Sequence, residues 1–449
     1  MIRGLITYSK HLLLLTIICF VADVSSQPAL NRFIKKINSD DGLSHNIVND
    51  IVQDGKGFIW IATQDGLNRF DGYEFKAYRF DPADSTSISG NYVKSLFVDQ
   101  KGNLWVSTRY GLNLYNPRQD NFIGFTSDQN DNLDITKIAA SSNGGLWLSN
   151  YTGGFLHFDP ENKSFTIHNI ENQALPTNFI MSIHEDSENI LWIGTGDYGV
   201  LVFRYDNKTL DNYEELSEKL DEFNITQIED IFADNNSNIW IASRQGVLFY
   251  NRSLNEFFHI QKTDEPTGLS GNIILDIRQD YQGNILIGTQ EGGLNILSQD
   301  QLKANHPRTF KFSKILPGSE ANNLSYRSIQ SIYEDKDRNI WLGTFGNGIN
   351  LIPWVQPRFK LLKHSVQNPN TLNFDKIWGI CEDNDGLLWI GTDGMGLNRC
   401  NLITGEIKHY YSGNKPGNLS DDAILCALCD SKGKLWFGGH SILSILQTI

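Results

Sequence analysis

The chain has 449 residues, with 38 Lys and Arg against 52 Asp and Glu, for a formal net charge of −14. That balance argues against nucleic acid or an anionic membrane surface as a partner of this segment and suits a neutral polyol or a cation better. An apolar content of 40% with 11% aromatics is enough for an extensive core, in a chain longer than one ordinary domain.

Residues 1–26 read as a secretory signal. Arg3, Lys10 and His11 form a basic lead, residues 12–22 are almost wholly apolar, and Val24 and Ser26 are small enough for cleavage before Gln27. The apolar run is short for a bilayer span, so an uncleaved anchor is the lesser alternative. Cys19 lacks the small residue that a lipidation site needs before it. Residues 31–37 then read as a lone strand.

From residue 42 onward one pattern recurs nine times, anchored at Trp60, Trp105, Trp147, Trp192, Trp240, Leu286, Trp341, Trp389 and Trp436, with spacings of 42 to 55 residues. A strand-rich period near 45 predicts propeller blades of about four strands each. Nine residues before each anchor stands an apolar residue, from Ile51 to Ile380 and, weakly, Ala427, which predicts a buried first strand. Six residues before it stands an Asp, except at Ser141. Its carboxylate can take backbone amides across a hairpin turn. The anchor heads a strand apolar on both faces. Two residues past it the side chain is always small, as at Ala62, Ser107, Gly194 and Gly343, which predicts close approach of the next blade. A Gly-Leu pair such as Gly66-Leu67 opens the third strand, and an aromatic segment makes the fourth.

Two insertions break the pattern: an acidic, helix-prone stretch at 213–223 and a polar excursion at 299–307. The seventh repeat ends near residue 352, and the segment Pro357-Arg358-Phe359-Lys360 resembles Asn31-Arg32-Phe33-Ile34. A closed ring satisfies its edges when the N-terminal strand completes the last blade. The expectation is therefore all-β: a seven-bladed β-propeller over residues 27–355, closed by strand 33–37, then the first two blades of a second, incomplete propeller over 356–449. Residues 359–363 would begin that second ring as 33–37 begin the first. The ninth repeat stops after Gly439, and its tail, 440–449, offers no Gly-Leu third strand. The chain reads as a fragment whose last two blades expose strand edges and apolar faces. Cys426 and Cys429 have CxxC spacing, but in a strand they point to opposite faces, so they read as small strand residues. The turn carboxylates, one per blade, read as turn caps and not as calcium ligands.

The run Asp383-Asn384-Asp385-Gly386-Leu387-Leu388-Trp389-Ile390-Gly391-Thr392, and residues 335–344 beside it, resemble the two-component regulator propeller repeat. The opening Asp41-Gly42-Leu43-Ser44, with residues 58–72, looks like the start of the hybrid sensors of that family. The resemblance implies a periplasmic sensor in which two seven-bladed propellers precede an immunoglobulin-like domain, a membrane helix and a histidine kinase. It also implies an oligosaccharide signal and a homodimeric parent that alone reaches the membrane. No kinase or receiver signature is present, so the chain itself is expected to be non-catalytic and without cofactor or metal.

In a four-stranded meander the loop leading into strand one and the loop joining strands two and three open on one face, where function on such scaffolds sits. The leading loops carry Tyr92, Tyr326 and Arg327. The second-to-third loops carry Arg109, Tyr110, Tyr151, Asp197, Tyr198, Arg244, Gln290, Glu291, Phe345 and Asn347. Aromatic platforms beside amides and guanidinium donors suit a sugar, whose ring faces stack while its hydroxyls take paired hydrogen bonds. Most of these side chains read equally as loop caps. Asp197 and Glu291 could be imagined as a glycosidase pair, which leaves a lyase or glycosidase, or a passive dimerisation scaffold, as alternatives.

Overall fold

The computed structural model describes residues 33–126, 133–173, 175–206, 209–304, 306–355, 362–364, 370–402, 404–413, 418–440 and 443–446. The leader and most of the 359–363 segment lie outside them. The chain divides between Gln356 and Pro357 into two compact units.

The first unit is a ring of seven four-stranded antiparallel sheets. Blade 1 shows the plan: Val48–Gln53, Ile59–Thr63, Gly66–Phe70 and Phe75–Tyr78, hydrogen-bonded in that order from the axis outward. The innermost strands of blades 2 to 7 are Val93–Val98, Ile135–Ala140, Ile180–Glu185, Ile228–Ala233, Ile274–Gln279 and Ile329–Glu334. Blade 7 takes its outermost strand from the N-terminus: Lys35, Lys36 and Ile37 pair with Leu351, Asn350 and Ile349. The seam with blade 1 is held by Lys336 N–H on Gln53 Oε1 at 2.8 Å and Gly348 N–H on Asn46 O at 2.9 Å. Ile37, Ile51 and Trp341 share one buried cluster across it.

Each blade interface has its own apolar core, and the anchor of one blade sits in the interface with the next. Trp60 packs against Val93 and Leu96, Trp240 against Ile274 and Ile277, and Leu286 fills the corresponding place beside Ile329 and Ile332. In the first ring the apolar residue nine before each anchor packs back on the preceding blade, as Ile51 does on Trp341. The small residue two past the anchor marks the nearest approach. A Cβ at Gly343 would stand 2.7 Å from Val48 Cγ1, and one at Gly288 would stand 2.8 Å from Ile329 O.

The repeated Asp does more than cap its turn. Asp54 Oδ1 accepts the amides of Lys56 and Phe58 at 2.8 and 3.1 Å, while Oδ2 accepts the Trp60 indole N–H at 2.9 Å. The same indole bond recurs from Trp105, Trp192, Trp240, Trp341, Trp389 and Trp436. Where Ser141 replaces the acid, Trp147 donates to Glu185 of blade 4 at 2.5 Å. Where Leu286 replaces Trp, the Asp280 carboxylate keeps the Asn284 amide and side chain, contacts that Asp99, Asp234 and Asp335 also make beside the indole. Buried indole N–H groups need an acceptor, and the hairpin supplies it from its own turn.

The insertions form helices as the sequence suggests: Glu214–Asp221 buries Leu216 and Leu220 between blades 4 and 5, and Gln299–Ala304 precedes the outer strand of blade 6.

In the second unit, blade 8 has four strands from Ile377–Glu382 to Ile407–Tyr410. Blade 9 has three among the described residues, which corrects the expectation for its tail: Leu443–Leu446 pairs with Leu435–Gly438 without a Gly-Leu start. Backbone ladders are indifferent to that pair, and the alternation of Leu443, Ser444 and Ile445 is sufficient. A second correction concerns Ile380, expected to be buried and in fact 57% exposed, with Trp378 beside it at 57%. Among the described residues no blade covers that face.

Candidate functional site

The loops of the first ring are braced by their own hydrogen bonds. The third residue past the anchor is a buried Thr or Ser in six of its blades, and its hydroxyl donates to the carbonyl that opens the third strand, as Thr63 does to Gly66 at 2.8 Å and Ser243 to Gly246 at 2.8 Å. The same hydroxyl accepts a loop amide, for example from Tyr198, Gln245 or Asn347. The next residue ties its loop to the leading loop of its own blade: Arg109 N–H to Tyr92 O, Arg244 to Gln227, Gln290 to Ile273, Phe345 to Ser328. Gly293 N–H on Arg327 O at 2.9 Å joins blade 6 to the leading loop of blade 7. A face built this way holds its side chains in place.

On this face a cavity of 430 Å³ opens across blades 5, 6 and 7. It brings together Arg244, Gln290, Glu291, Tyr326, Arg327 and Phe345, six of the thirteen residues named from sequence. Sequence reasoning missed its floor, Glu229, Leu275 and Gln330 of the innermost strands. Glu229 Oε1 takes the Arg244 Nε–H at 2.6 Å and fixes the guanidinium. Tyr326 lies against Gly346, where a Cβ would stand 2.9 Å from its ring.

Glu229, Leu275 and Gln330 also border a second cavity, of 300 Å³, at the mouth of the central channel, which contains Tyr92 and Tyr151. Lys94 lies between those rings, 5.8 and 5.3 Å from their centroids, and pairs with Asp134 at 2.5 Å. Tyr151 meets Phe179 edge-on at 4.6 Å. The remaining five residues border neither cavity. Arg109 is 4.0 Å from Asp134, Tyr110 covers Gly90, Asp197 and Tyr198 are exposed on blade 4, and Asn347 donates to Ser325 O at 3.2 Å. Asp197 does not border the cleft that holds Glu291.

The 300 Å³ cavity is also lined by Lys137, Asp230 and Asp276, members of a charge cluster whose carboxylates are buried. Asp230 pairs with Arg278 at 2.6 Å and Lys137 at 3.1 Å, and Arg278 reaches Asp276 at 2.8 Å. Burial raises the Asp230 carboxyl, but Arg278 and Lys137 outweigh it and hold it below the usual range. Burial also acts on Asp276, opposed by Arg278 but reinforced by the Asp230 charge, and pushes its carboxyl up to about 7. The signal was present in sequence: Asp50, Lys137, Asp230 and Asp276 each stand just before the apolar residue of an otherwise buried first strand. No helix among the described residues is long and apolar enough to cross a membrane.

The family model described as "Two component regulator propeller" matches residues 42–65, 87–110, 174–197, 323–346 and 371–394, in each case from the leading loop to the second-to-third loop. The extracellular domain of a hybrid two-component system from B. thetaiotaomicron is 30% identical with a TM-score of 0.62, over 93% of this chain and 53% of that one. A second extracellular domain from that organism, at 21% identity and TM-score 0.56 over 93% and 52%, shares the fold. So does streptogramin B lyase, at 14% identity and TM-score 0.51 over 73% and 99%. A histidine kinase of Formosa agariphila is 54% identical over 59 residues, 13% of this chain and 4% of that protein. The chain thus spans about half the length of the solved extracellular domains it matches. With repeats, ring and relatives in agreement, five of the repeats of this chain are repeats of the two-component regulator propeller family.

Proposed function

We propose that this chain is the extracellular ligand-sensing part of a hybrid two-component regulator, that its ligand is an oligosaccharide, and that occupancy is relayed to a histidine kinase separate from the two units of this chain. The observation that carries the reading is the 430 Å³ cleft of blades 5 to 7, where two aromatic rings, two guanidinium groups, two amides and two carboxylates converge. Planar donors in fixed positions and exposed ring faces are what a hydroxyl-rich, amphipathic ring requires. A periplasmic location, reached through the N-terminal signal, accords with the extracellular domains that the chain resembles.

The test is titration calorimetry of the chain against a panel of oligosaccharides, with chromatography of the mixtures afterwards. The expected result is saturable binding without new products, lost in Tyr326→Ala and weakened in Arg244→Ala. New products would favour a lyase or glycosidase. Binding by no sugar, or binding indifferent to both substitutions, would refute the site.

A further inference from the structure

The second unit holds four cysteines that play no part in the cleft or the channel: Cys381, Cys400, Cys426 and Cys429. Two of them face one another across a blade interface. The innermost strands of blades 8 and 9, Ile377–Glu382 and Cys426–Cys429, are equivalent parts of one repeat and run the same way about their axis. They come close at Gly379, where a Cβ would lie 2.8 Å from Ala427 N and 2.8 Å from Cys426 C. Two residues further along each strand, on the same face as Gly379 and Ala427, stand Cys381 and Cys429. Both pack on one cluster, formed by Trp389 and Leu397 of blade 8 and Leu435 and Phe437 of blade 9. The first ring shows the same pairing: Val52, eight residues before its anchor, and Val98, seven before the next, pack on one interface core.

The other two cysteines are placed differently. Cys426 is exposed, and its sulfur lies 2.6 Å from where a Cβ on Gly438 of its own blade would be. Cys400 is buried in a separate cluster with Leu372 and Ile390.

We propose that Cys381 and Cys429 form a disulfide that staples blade 8 to blade 9 when the chain matures in an oxidising compartment. Each sulfur gives up its thiol proton, one S–S bond forms, and two electrons pass through a mixed disulfide to a disulfide-exchange oxidant, which leaves as its dithiol. Such bonds form and persist outside the cytoplasm. Burial, with Cys429 beside it, pushes the Cys381 thiol up to about 11. At neutral pH the folded, reduced Cys381 is therefore protonated and slow to attack, and the bond forms while the chain is still folding.

The test uses the full chain, refolded from the reduced state with oxidised glutathione as the probe oxidant, then alkylated in denaturant, digested and mapped by mass spectrometry. The expected product links the peptide of Cys381 to that of Cys429. The link persists in C426S and C400S, disappears in C381S and C429S, and raises the melting temperature of the second unit by several degrees over the reduced chain. A link from Cys381 to Cys426 or Cys400, or a refolded chain in which all four of these thiols are alkylated, would overturn the assignment. The wild-type map decides the matter even where a variant fails to fold.

Discussion

The bond between hairpin carboxylate and anchor indole allows a quantitative test in blade 5. Asp234 is 5% exposed; its Oδ1 accepts the amides of Asn236 and Asn238 at 2.9 and 3.0 Å, and its Oδ2 accepts the Trp240 indole at 3.0 Å. Hydrogen bonds to a charged group are worth about 1.5–3 kcal/mol each, and a buried donor left without a partner costs about 1–3 kcal/mol. Water reaches the turn amides once the carboxylate is gone, and the fully buried indole N–H does not share that rescue. Asp234→Ala is therefore expected to cost about 4 kcal/mol in total, in line with the loss of a buried network. Trp240→Phe removes the donor while keeping most of the apolar body. In the double variant the indole penalty cannot be incurred twice, so a cycle should show coupling of about 1–2 kcal/mol. Urea unfolding followed by circular dichroism, with the two units fitted as separate transitions, gives all the values. A cost below about 1 kcal/mol for Asp234→Ala, or additive single substitutions, would mean that the carboxylate serves the turn alone.

Three further outcomes follow from the same packing. Gly343→Ala pushes a methyl to 2.7 Å from Val48 Cγ1 at the blade 7–blade 1 seam and should cost about 2 kcal/mol in urea unfolding, whereas Ala62→Gly at the equivalent place in blade 1 should cost less. Ile37→Asp places a carboxylate at a site 2% exposed on the closing strand; the first unit should lose about 3 kcal/mol or more, and an unchanged melting temperature would show that the ring does not depend on that strand. Asp276 has a folded-state pKa of about 7 against an ordinary 3.8, so the folded ring holds its proton more tightly than the unfolded chain; stability from this group is full below about pH 4 and is lost as pH rises through 7, by at most about 4 kcal/mol. Asp276→Asn should remove that slope between pH 6.5 and 8, above the ordinary titration of histidine, as read from the difference in melting curves.

Much of this fold is legible because the sequence repeats its local chemistry. The acid, the anchor and the small residue recur with fixed offsets, and each offset has a local cause: a turn to cap, a strand to start, a neighbour to admit. What is not legible depends on neighbours. Ile51 and Ile380 occupy the same place in the repeat, yet one is buried under blade 7 and the other lies open. The spacing of six between acid and anchor was visible, but it said nothing of the indole bond, because a strand-turn-strand path must first fold Trp60 back over Asp54. Membership of the loop face could also be read, whereas the grouping on it could not. Arg109, Tyr110, Asp197 and Tyr198 belong to the right loops of blades 2 and 4, while the cleft opens over blades 5 to 7. The charges of the central channel escaped notice for a related reason. Asp230 and Asp276 look like isolated strand carboxylates until the ring sets Lys137 and Arg278, contributed by blades 3 and 6, beside them.

The bracing also limits how binding could be transmitted. A ligand shifts an equilibrium only through contacts that differ between two states. In the first ring every interface is a close-packed core, the loops under the cleft are tied by backbone bonds to their own and to neighbouring blades, and the seam between blade 7 and blade 1 is packed like the others. Such a body has little room for a second arrangement of its sheets. Tyr326, Arg327 and Phe345 place part of the proposed cleft on blade 7, the blade that also holds the closing strand and is followed directly by Pro353 and the end of the first unit. Occupancy that leaves the sheets unmoved therefore has to act through side chains at the rim of the cleft. A ligand-bound ring that superimposed on the empty one, blade for blade, would be the expected result, and a ring that opened at the blade 7–blade 1 seam would contradict it.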